Sequence, residues 1–167
     1  MLLTTHDSRL TIDDITQMKP LLVLLIAFAI ALLATKIFRH DWNFIFAGNA
    51  ALSVMLVFTA IGHFVYSKGM AMMMPAVIPF KTAMVYLTGL IEIAAAIGLL
   101  IPSTRHITAF MLIIFFITIL PANINAAIHK VDFQKGTYGG SGTNYLWFRV
   151  PLQVFFILWA WYFGLKL

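Results

Sequence analysis

Long apolar runs separated by short polar segments dominate the pattern of this chain. Each of the five runs has 19 to 25 residues, and a helix of about 20 residues spans roughly 30 Å of hydrocarbon. Unpaired backbone groups are not tolerated in lipid, so each run is predicted to be a transmembrane helix. The runs are 20–38, 42–66, 82–101, 106–127 and 145–163.

The residues that flank these runs fit membrane boundaries. Pro20 suits a helix start, because its missing N–H has no intrahelical partner there. Trp42 and Tyr66 place aromatic rings at both ends of the second run, as is common at membrane interfaces. A cleavable signal peptide is an alternative for the first run, because the Ala-Ile-Ala sequence at 29–31 resembles a cleavage site. The long, aspartate-containing segment before this run favours a retained helix instead.

Composition supports a membrane protein and limits its chemistry. The chain is 62% hydrophobic and only 10% charged, whereas soluble domains average about 25% charged residues. The net charge of +5 comes from basic residues scattered at the ends of the runs, which argues against nucleic acid as a partner because that needs a clustered footprint. The chain has no cysteine. Any redox chemistry would therefore need a bound cofactor or a partner subunit.

Charge alone leaves the orientation of the spans open. With five spans, the N-terminal tail and the loops 67–81 and 128–144 share one membrane side. That side carries six Lys and Arg, against four on the other, so a raw count places it in the cytoplasm. The four lie in very short connections, where the positive-inside rule is most reliable. Their density places the second side in the cytoplasm instead.

Glu92 is the most informative residue, because it lies in the middle of the third apolar run. A charged side chain at the bilayer centre costs about 2.5–3.5 kcal/mol on insertion scales. Such an acid faces the bundle interior and pairs with a polar group, or it stays protonated. The sequence therefore predicts a contact between Glu92 and Arg149, His63 or an asparagine of the segment 121–125.

Chain direction brings the polar residues of the other runs to the membrane side where the third run starts. We expect a polar funnel there, with Glu92 about 15 Å deep and Gln153 one turn deeper than Arg149 on the same helix face. No residue is assigned a catalytic role, and no metal site is expected. The candidate ligand-binding residues are His63, Glu92, Asn123, Asn125, Arg149 and Gln153.

Several of these residues also have a purely structural interpretation. Glu92 could fix helix packing, since a stripe of small residues surrounds it and would let another helix approach closely. Arg149 could extend to the headgroups with its stem buried, and His63 could be an interfacial histidine. These alternatives predict a packing role rather than a binding site.

Pro121 interrupts the fourth run and frees the backbone carbonyl near Ile117. Asn123 and Asn125 are two positions apart, about 200° around a helix of 3.6 residues per turn. They cannot both face one partner. One is expected to satisfy the broken backbone while the other faces the bundle.

Two longer loops join spans on the side of the funnel. Loop 67–80 is too apolar to extend into water, so it is predicted to lie in the interface or to fold back over the bundle. Its methionines, Met70 and 72–74, could bind copper(I) through their thioethers, but their contiguous spacing favours packing. Loop 128–144 is glycine-rich and is predicted to be mobile.

Six motifs, taken in order, resemble those of the DoxX-like membrane proteins. They are Gly62-His63-Phe64, Pro75-x-x-x-Pro79, Tyr86-Leu-Thr-Gly-Leu-Ile-Glu92, Gly98-Leu-Leu, Pro121-Ala-Asn-Ile and Tyr145-Leu-Trp-Phe-Arg-Val-Pro-Leu-Gln153. The resemblance implies an all-α integral membrane bundle with a four-helix core over 42–163. The segment 1–19 would be an N-terminal tail and 20–38 an extra transmembrane helix. By the same resemblance the core starts in the cytoplasm, which places His63 and both longer loops outside.

The resemblance implies several functions. The founding DoxX-like members are small subunits of thiosulfate:quinone oxidoreductase systems, others are accessory partners of oxidative-stress enzymes, and animal relatives act in receptor assembly. We therefore expect a small multi-pass protein of the bacterial inner membrane. It would be an accessory subunit or binding module with an outward-facing polar pocket for a lipophilic ligand such as a quinone.

Membrane lipid and an oxidoreductase or other membrane protein are the expected partners of this chain, and no enzymatic activity of its own is expected. Two other functions fit the same residues. One is a membrane assembly or stability factor that binds no ligand. The other is a quinone-linked oxidoreductase subunit, in which Glu92 and His63 exchange protons while the redox centre lies on a partner.

Overall fold

The described part of the chain is built from helices only. A computed structural model describes residues 12–140 and 142–167, and within these ranges the only extended pairing is an isolated bridge between Asp132 and Thr137. The helices are α1 (Ile12–Arg39), α2 (Phe44–Val65), α3 (Ser67–Met73), α4 (Lys81–Leu100), α5 (Arg105–Ile128) and α6 (Asn144–Ala160). A π-helical segment (Trp161–Lys166) continues α6. The predicted all-α fold is confirmed.

Five of these helices are long and apolar enough to cross a membrane, as the five apolar runs predicted. They are Met18–Arg39 within α1, then α2, α4, α5 and Leu146–Lys166. The observed ends of α2, α4 and α5 lie within two residues of the predicted ones. At the start of α2, Asn43 caps the helix by accepting a hydrogen bond from the N–H of Phe46 at 2.9 Å, which satisfies one of the free N–H groups of the first turn.

The first helix begins earlier than its apolar pattern indicated. The prediction that Pro20 starts the helix is wrong, because α1 begins at Ile12 and Pro20 lies inside it. A proline inside a helix removes one backbone hydrogen bond to the preceding turn. The polar turns before it are helical without being part of the apolar span. Of the predicted tail 1–19, residues 1–11 lie outside the described ranges.

The core of the bundle lies around α2. Half of the apolar window of α2 is buried, a larger share than in any other span, because α1 and α4 both pack along it. Leu52 and Leu56 of α2 are fully buried with Leu99 of α4 and Leu112 of α5. Leu24 of α1 belongs to the same cluster and has no exposed surface. The first helix therefore contributes to the core.

A small cap covers one end of the bundle. It consists of α3 and the loop 131–137, and it lies where α2 ends and α4 begins. Met73, Ala126 and Val131 form its buried cluster, with other methionines of α3 packed around them. Loop 67–80 was predicted to lie in the interface or to fold back over the bundle. Its first part, α3, packs on the bundle through its methionines, whereas Val77 and Phe80 further on are exposed.

The loop 131–137 is ordered by its own hydrogen bonds. The carboxylate of Asp132 accepts from the N–H groups of Gln134 and Lys135, both at 3.1 Å, and its other oxygen lies 3.2 Å from Nζ of Lys135. Gly69 packs directly against the carbonyl of Phe133, where no Cβ would fit. These contacts give the loop 131–137 a defined conformation. The mobility expected of the glycine-rich loop 128–144 stays a prediction.

Candidate ligand-binding site

The end of α2 approaches α4 closely at a glycine. A Cβ on Gly89 would lie 3.0 Å from Cβ of His63 and 3.2 Å from the ring of Phe64, so a larger residue would push the two helices apart. This approach places the His63 ring beside the first turns of α4. The ring of Phe64 on α2 stacks on that of Tyr86 on α4 with the centroids 5.8 Å apart, which adds a second contact between the same two helices.

One ring nitrogen of His63 is fixed by α4. Its Nδ1 atom lies 2.9 Å from Oγ1 of Thr88 and 3.2 Å from the carbonyl oxygen of Val85. The Thr88 hydroxyl in turn donates to the same Val85 carbonyl at 2.8 Å. The imidazole is thus oriented by two neighbouring groups of one helix. The histidine was predicted from sequence, whereas the role of Thr88 as its partner was missed, although Thr88 lies one turn before Glu92 on α4.

The other ring nitrogen of His63 faces Glu92. Nε2 lies 3.5 Å from Oε1 of Glu92, whose residue is only 4% exposed. The predicted pairing of this acid with a polar residue of another span is confirmed, with His63 as the partner. The His63 side chain is 18% exposed. It therefore links the buried carboxyl group to the more accessible end of the bundle.

The second oxygen of Glu92, Oε2, is fully buried. Among the residues that the structure describes, none forms a hydrogen bond with Oε2. A buried polar atom without a partner loses its hydration and gains nothing in return, which costs about 1–3 kcal/mol or more. Such an atom in a native fold calls for an explanation, for instance a proton, a water molecule or a ligand.

Asn123 and Gln153 form a second polar pair between α5 and α6. The Asn123 amide donates to Oε1 of Gln153 at 3.2 Å, and the Gln153 amide donates to the backbone carbonyl of Phe116. Both side chains are buried. Phe116 lies in the turn before Pro121, where the helix has lost a backbone N–H. The amide of Gln153 thus bonds the carbonyl next to the one that Pro121 frees, that of Ile117, and the expectation that an asparagine satisfies the freed carbonyl stays a prediction.

The two remaining candidates lie nearer the cap. The Asn125 amide donates to the carbonyl of Met73 at 2.9 Å, which ties α3 to α5. Arg149 is half-buried on α6, one turn before Gln153. The structure therefore brings His63 to Glu92 and Asn123 to Gln153, while Asn125 contacts α3. A shared ligand for all six residues stays a prediction.

Asn49 is a buried polar residue that the sequence analysis missed. It is 1% exposed, and its amide donates to the carbonyls of Ile45 and Phe163, both at 2.8 Å. Like Glu92, it leaves one buried oxygen, Oδ1, without a hydrogen-bond partner among the described residues. A lone asparagine in an apolar run is the same signal that singled out Glu92, and it could have been found by the same argument.

An apolar groove runs between α4 and α5 at the level of Glu92, which is not itself one of its lining residues. It has a volume of about 280 Å³. Of its lining residues, Ile91 directly precedes Glu92 in the sequence, and Ala95 lies about one helical turn after it on α4. The lining is Ile91, Ala94, Ala95, Ile107, Thr108, Met111, Leu112 and Phe115.

Fold and site together define an all-helical protein whose five long apolar helices suit a multi-pass membrane protein. A family model described as a domain of unknown function, DUF8561, matches residues 52–164, and the chain belongs to this family. The matched region contains both polar pairs. Neither the curated proteins nor the solved structures gave a match to the chain.

Proposed function

We propose that this protein is a small accessory subunit or binding module of the bacterial inner membrane, related to the DoxX-like proteins. Its site would bind the polar end of a lipophilic ligand, such as a quinone, next to Glu92. The resemblance of six motifs to those of the DoxX-like proteins supports this kinship, and all six lie within the family region at 52–164.

The state of Glu92 is the observation that carries this proposal. Its carboxyl group lies in the middle of α4 and is almost fully buried, and among the described residues only one of its oxygens meets a polar side chain. A carboxyl group kept in an apolar span costs stability. An acid that served packing alone would be expected to have both oxygens paired, as the amide groups of Asn123 and Gln153 pair with each other.

The groove between α4 and α5 supports a ligand with an apolar tail. Its lining is almost wholly aliphatic and aromatic, with Thr108 the one polar side chain. Ligand sites commonly combine such an apolar lining with a few placed polar groups. Glu92 is not among the residues that line the groove, but its neighbour Ile91 is. In this proposal the tail of the ligand lies in the groove and its head reaches past Ile91 to the acid.

The partner would supply any redox centre. The chain has no cysteine, so it offers no thiolate for an iron–sulfur cluster or a dithiol relay. In a quinone-linked complex, His63 would pass a proton between the accessible end of the bundle and Glu92. This role is favoured by the 3.5 Å contact between them.

A membrane assembly or stability factor is the second candidate function. The pair of Asn123 and Gln153 favours it, because these side chains join two helices and satisfy a backbone carbonyl. Polar residues used in this way specify helix packing without any ligand.

Gentle purification and mass spectrometry of the co-purified lipids, quinones and proteins test the proposal. Glu92→Gln keeps the shape of the side chain but removes its ionisable proton, and it is expected to lower the amount of bound ligand severalfold. Thr118→Val, at an exposed position of α5, serves as the control and should leave it unchanged. Equal ligand content in wild type and Glu92→Gln would favour the assembly factor instead.

A further inference from the structure

The hydrogen bonds of His63 determine where its ring carries a proton. The Val85 carbonyl, 3.2 Å from Nδ1, can only accept a hydrogen bond. The Thr88 hydroxyl has a single proton and donates it to that same carbonyl, so toward Nδ1 it presents a lone pair. Both neighbours of Nδ1 are therefore acceptors. Nδ1 carries the hydrogen, and in a neutral ring Nε2 is then the unprotonated nitrogen.

The contact between Nε2 and Oε1 of Glu92 then needs one proton between the two atoms. The proton lies either on Glu92, giving a neutral pair, or on His63, giving an ion pair. With the proton on Oε2 instead, two lone pairs would face each other at 3.5 Å inside an apolar span. Protons on both ring nitrogens of His63 and on the carboxyl group of Glu92 would leave a net positive charge there, which is costly without a counter-ion.

Both favourable arrangements leave Oε2 of Glu92 as a hydrogen-bond acceptor. It is the carbonyl oxygen of a protonated acid in the first and a carboxylate oxygen in the second. This is the buried oxygen that has no hydrogen-bond partner among the described residues. A group that satisfies it has to donate a hydrogen bond.

We propose that the ligand's polar end is a hydrogen-bond donor, such as the hydroxyl group of a phenol or of a reduced quinol, and not the carbonyl of an oxidised quinone. This inference rests on the proposed function, since it assumes a lipophilic ligand at Glu92. It narrows that function to hydroxyl-bearing lipophiles. A quinone carbonyl can only accept a hydrogen bond, so it could not pair with Oε2, which is itself an acceptor.

The purified full-length protein in mild detergent tests this with three probes that share one alkyl tail. These are a long-chain alkylphenol, its methyl ether and an alkyl quinone. The phenol can donate a hydrogen bond, whereas the ether and the quinone can only accept one. A hydrogen bond that replaces an unpaired buried acceptor changes affinity by about tenfold or more. The phenol is therefore expected to bind at least about tenfold more tightly than either of the others.

Two variants assign this preference to Glu92. Glu92→Leu removes the acceptor, and the ratio of phenol to ether affinity should fall to about one. Glu92→Gln offers a rotatable amide that can donate or accept, so it should reduce the ratio even if the leucine variant fails to fold. Thr118→Val should keep the wild-type ratio.

The outcomes separate this inference from the function on which it rests. Equal binding of phenol and ether by the wild type, or tighter binding of the quinone, would overturn the donor requirement while leaving a lipophile site in place. Binding of none of the three probes, together with no co-purified ligand, would refute the binding function itself.

Discussion

Individual polar side chains in the spans are of two kinds. Gln153 and Asn123 pair with each other, and Gln153 also reaches the Phe116 carbonyl. Glu92 has a partner for one oxygen and none among the described residues for the other. Satisfied groups of the first kind stabilise the fold, whereas an unpaired buried group lowers stability. The two pairs should therefore respond differently to substitution.

Gln153→Leu is expected to destabilise the protein by about 1–3 kcal/mol, because it leaves the Phe116 carbonyl and the Asn123 amide without this partner. The melting temperature in detergent measures this loss. Thr118→Val is the matched control, since it removes a hydroxyl at an exposed position. A melting temperature of Gln153→Leu equal to that of the control would contradict a packing role for the amide pair.

The polar side chains that could be predicted from the sequence are those with a large free-energy cost of insertion into a bilayer. A charged residue in an apolar run is costly, so the burial of Glu92 and its polar partner could be predicted. The choice of His63 over Arg149 depended on which helix approaches Gly89. The stripe of small residues around Glu92 indicated a close approach, but it did not identify α2 as the helix that makes it. The role of Gln153 could not be predicted either, because it depends on how far its side chain on α6 reaches toward the Phe116 carbonyl of α5.

The ends of the helices and the residues of the cap differ in how far they could be predicted from the sequence. The ends of the spans could be predicted because apolar length and flanking residues determine them. The start of α1 could not, because its first turns are polar and continue the helix beyond the apolar run. The folding back of α3 was one of two alternatives that its apolar composition predicted. Its contact with the loop 131–137 could not be predicted, because the close packing of Gly69 on Phe133 joins distant parts of the chain.

Gly69→Ala is expected to displace the loop 131–137, because the added Cβ would overlap the carbonyl of Phe133. The loop contains Lys135, so faster tryptic cleavage there and a lower melting temperature would report the change. Gly139→Ala is the matched control, as the nearest atom to its added Cβ would be Oγ1 of Thr137 at 3.9 Å. Equal cleavage rates for the two variants would show that close packing at Gly69 does not hold the loop.

The order of the same loop should depend on pH through Asp132. Burial raises the pKa of this carboxyl, but hydrogen bonds from Lys135 and Gln134 and the charge of Lys135 outweigh it, and the net shift is downward from 3.8. A lowered pKa means that the carboxylate stabilises the loop fully above about pH 4. This contribution is lost as the pH falls through the lowered pKa.

Asp132→Asn should therefore lower the free energy of opening the loop at neutral pH by about 1 kcal/mol or less, given the partial exposure of the site. It should also abolish the change on acidification. Hydrogen exchange of the amides of Gln134 and Lys135, followed between pH 7 and pH 3 with correction for intrinsic rates, measures both effects. The same acid-induced loosening in wild type and variant would exclude Asp132 as its cause.

At the scale of the whole molecule, the family region and the helical bundle do not coincide. The family model begins at residue 52, inside α2, so α1 lies outside it. Nevertheless, Leu24 of α1 is fully buried, and the ring of Phe28 lies 5.1 Å from that of Trp159. The helix predicted as an addition to a four-helix core thus packs against the other spans through Leu24 and Phe28, although it is the least buried of the five.

The five spans and the dense basic residues of the short connections predict that the C-terminal end is cytoplasmic, which puts His63 and the cap outside. A green fluorescent protein fused after Leu167 should then fluoresce, and alkaline phosphatase fused at the same point should be inactive. Insertion of either reporter in the loop 131–137 should give the reverse pattern. Phosphatase activity after Leu167 would invert the orientation.

The contact between Asn49 and the carbonyl of Phe163 joins positions 114 residues apart. During synthesis the second span enters the membrane long before the last one is translated. Its amide therefore meets lipid, or another protein, before its final acceptor exists. The bundle can close only after the last helix has been inserted. Until then the Asn49 amide lacks its Phe163 acceptor and is free to bind an insertion chaperone or to form a non-native contact.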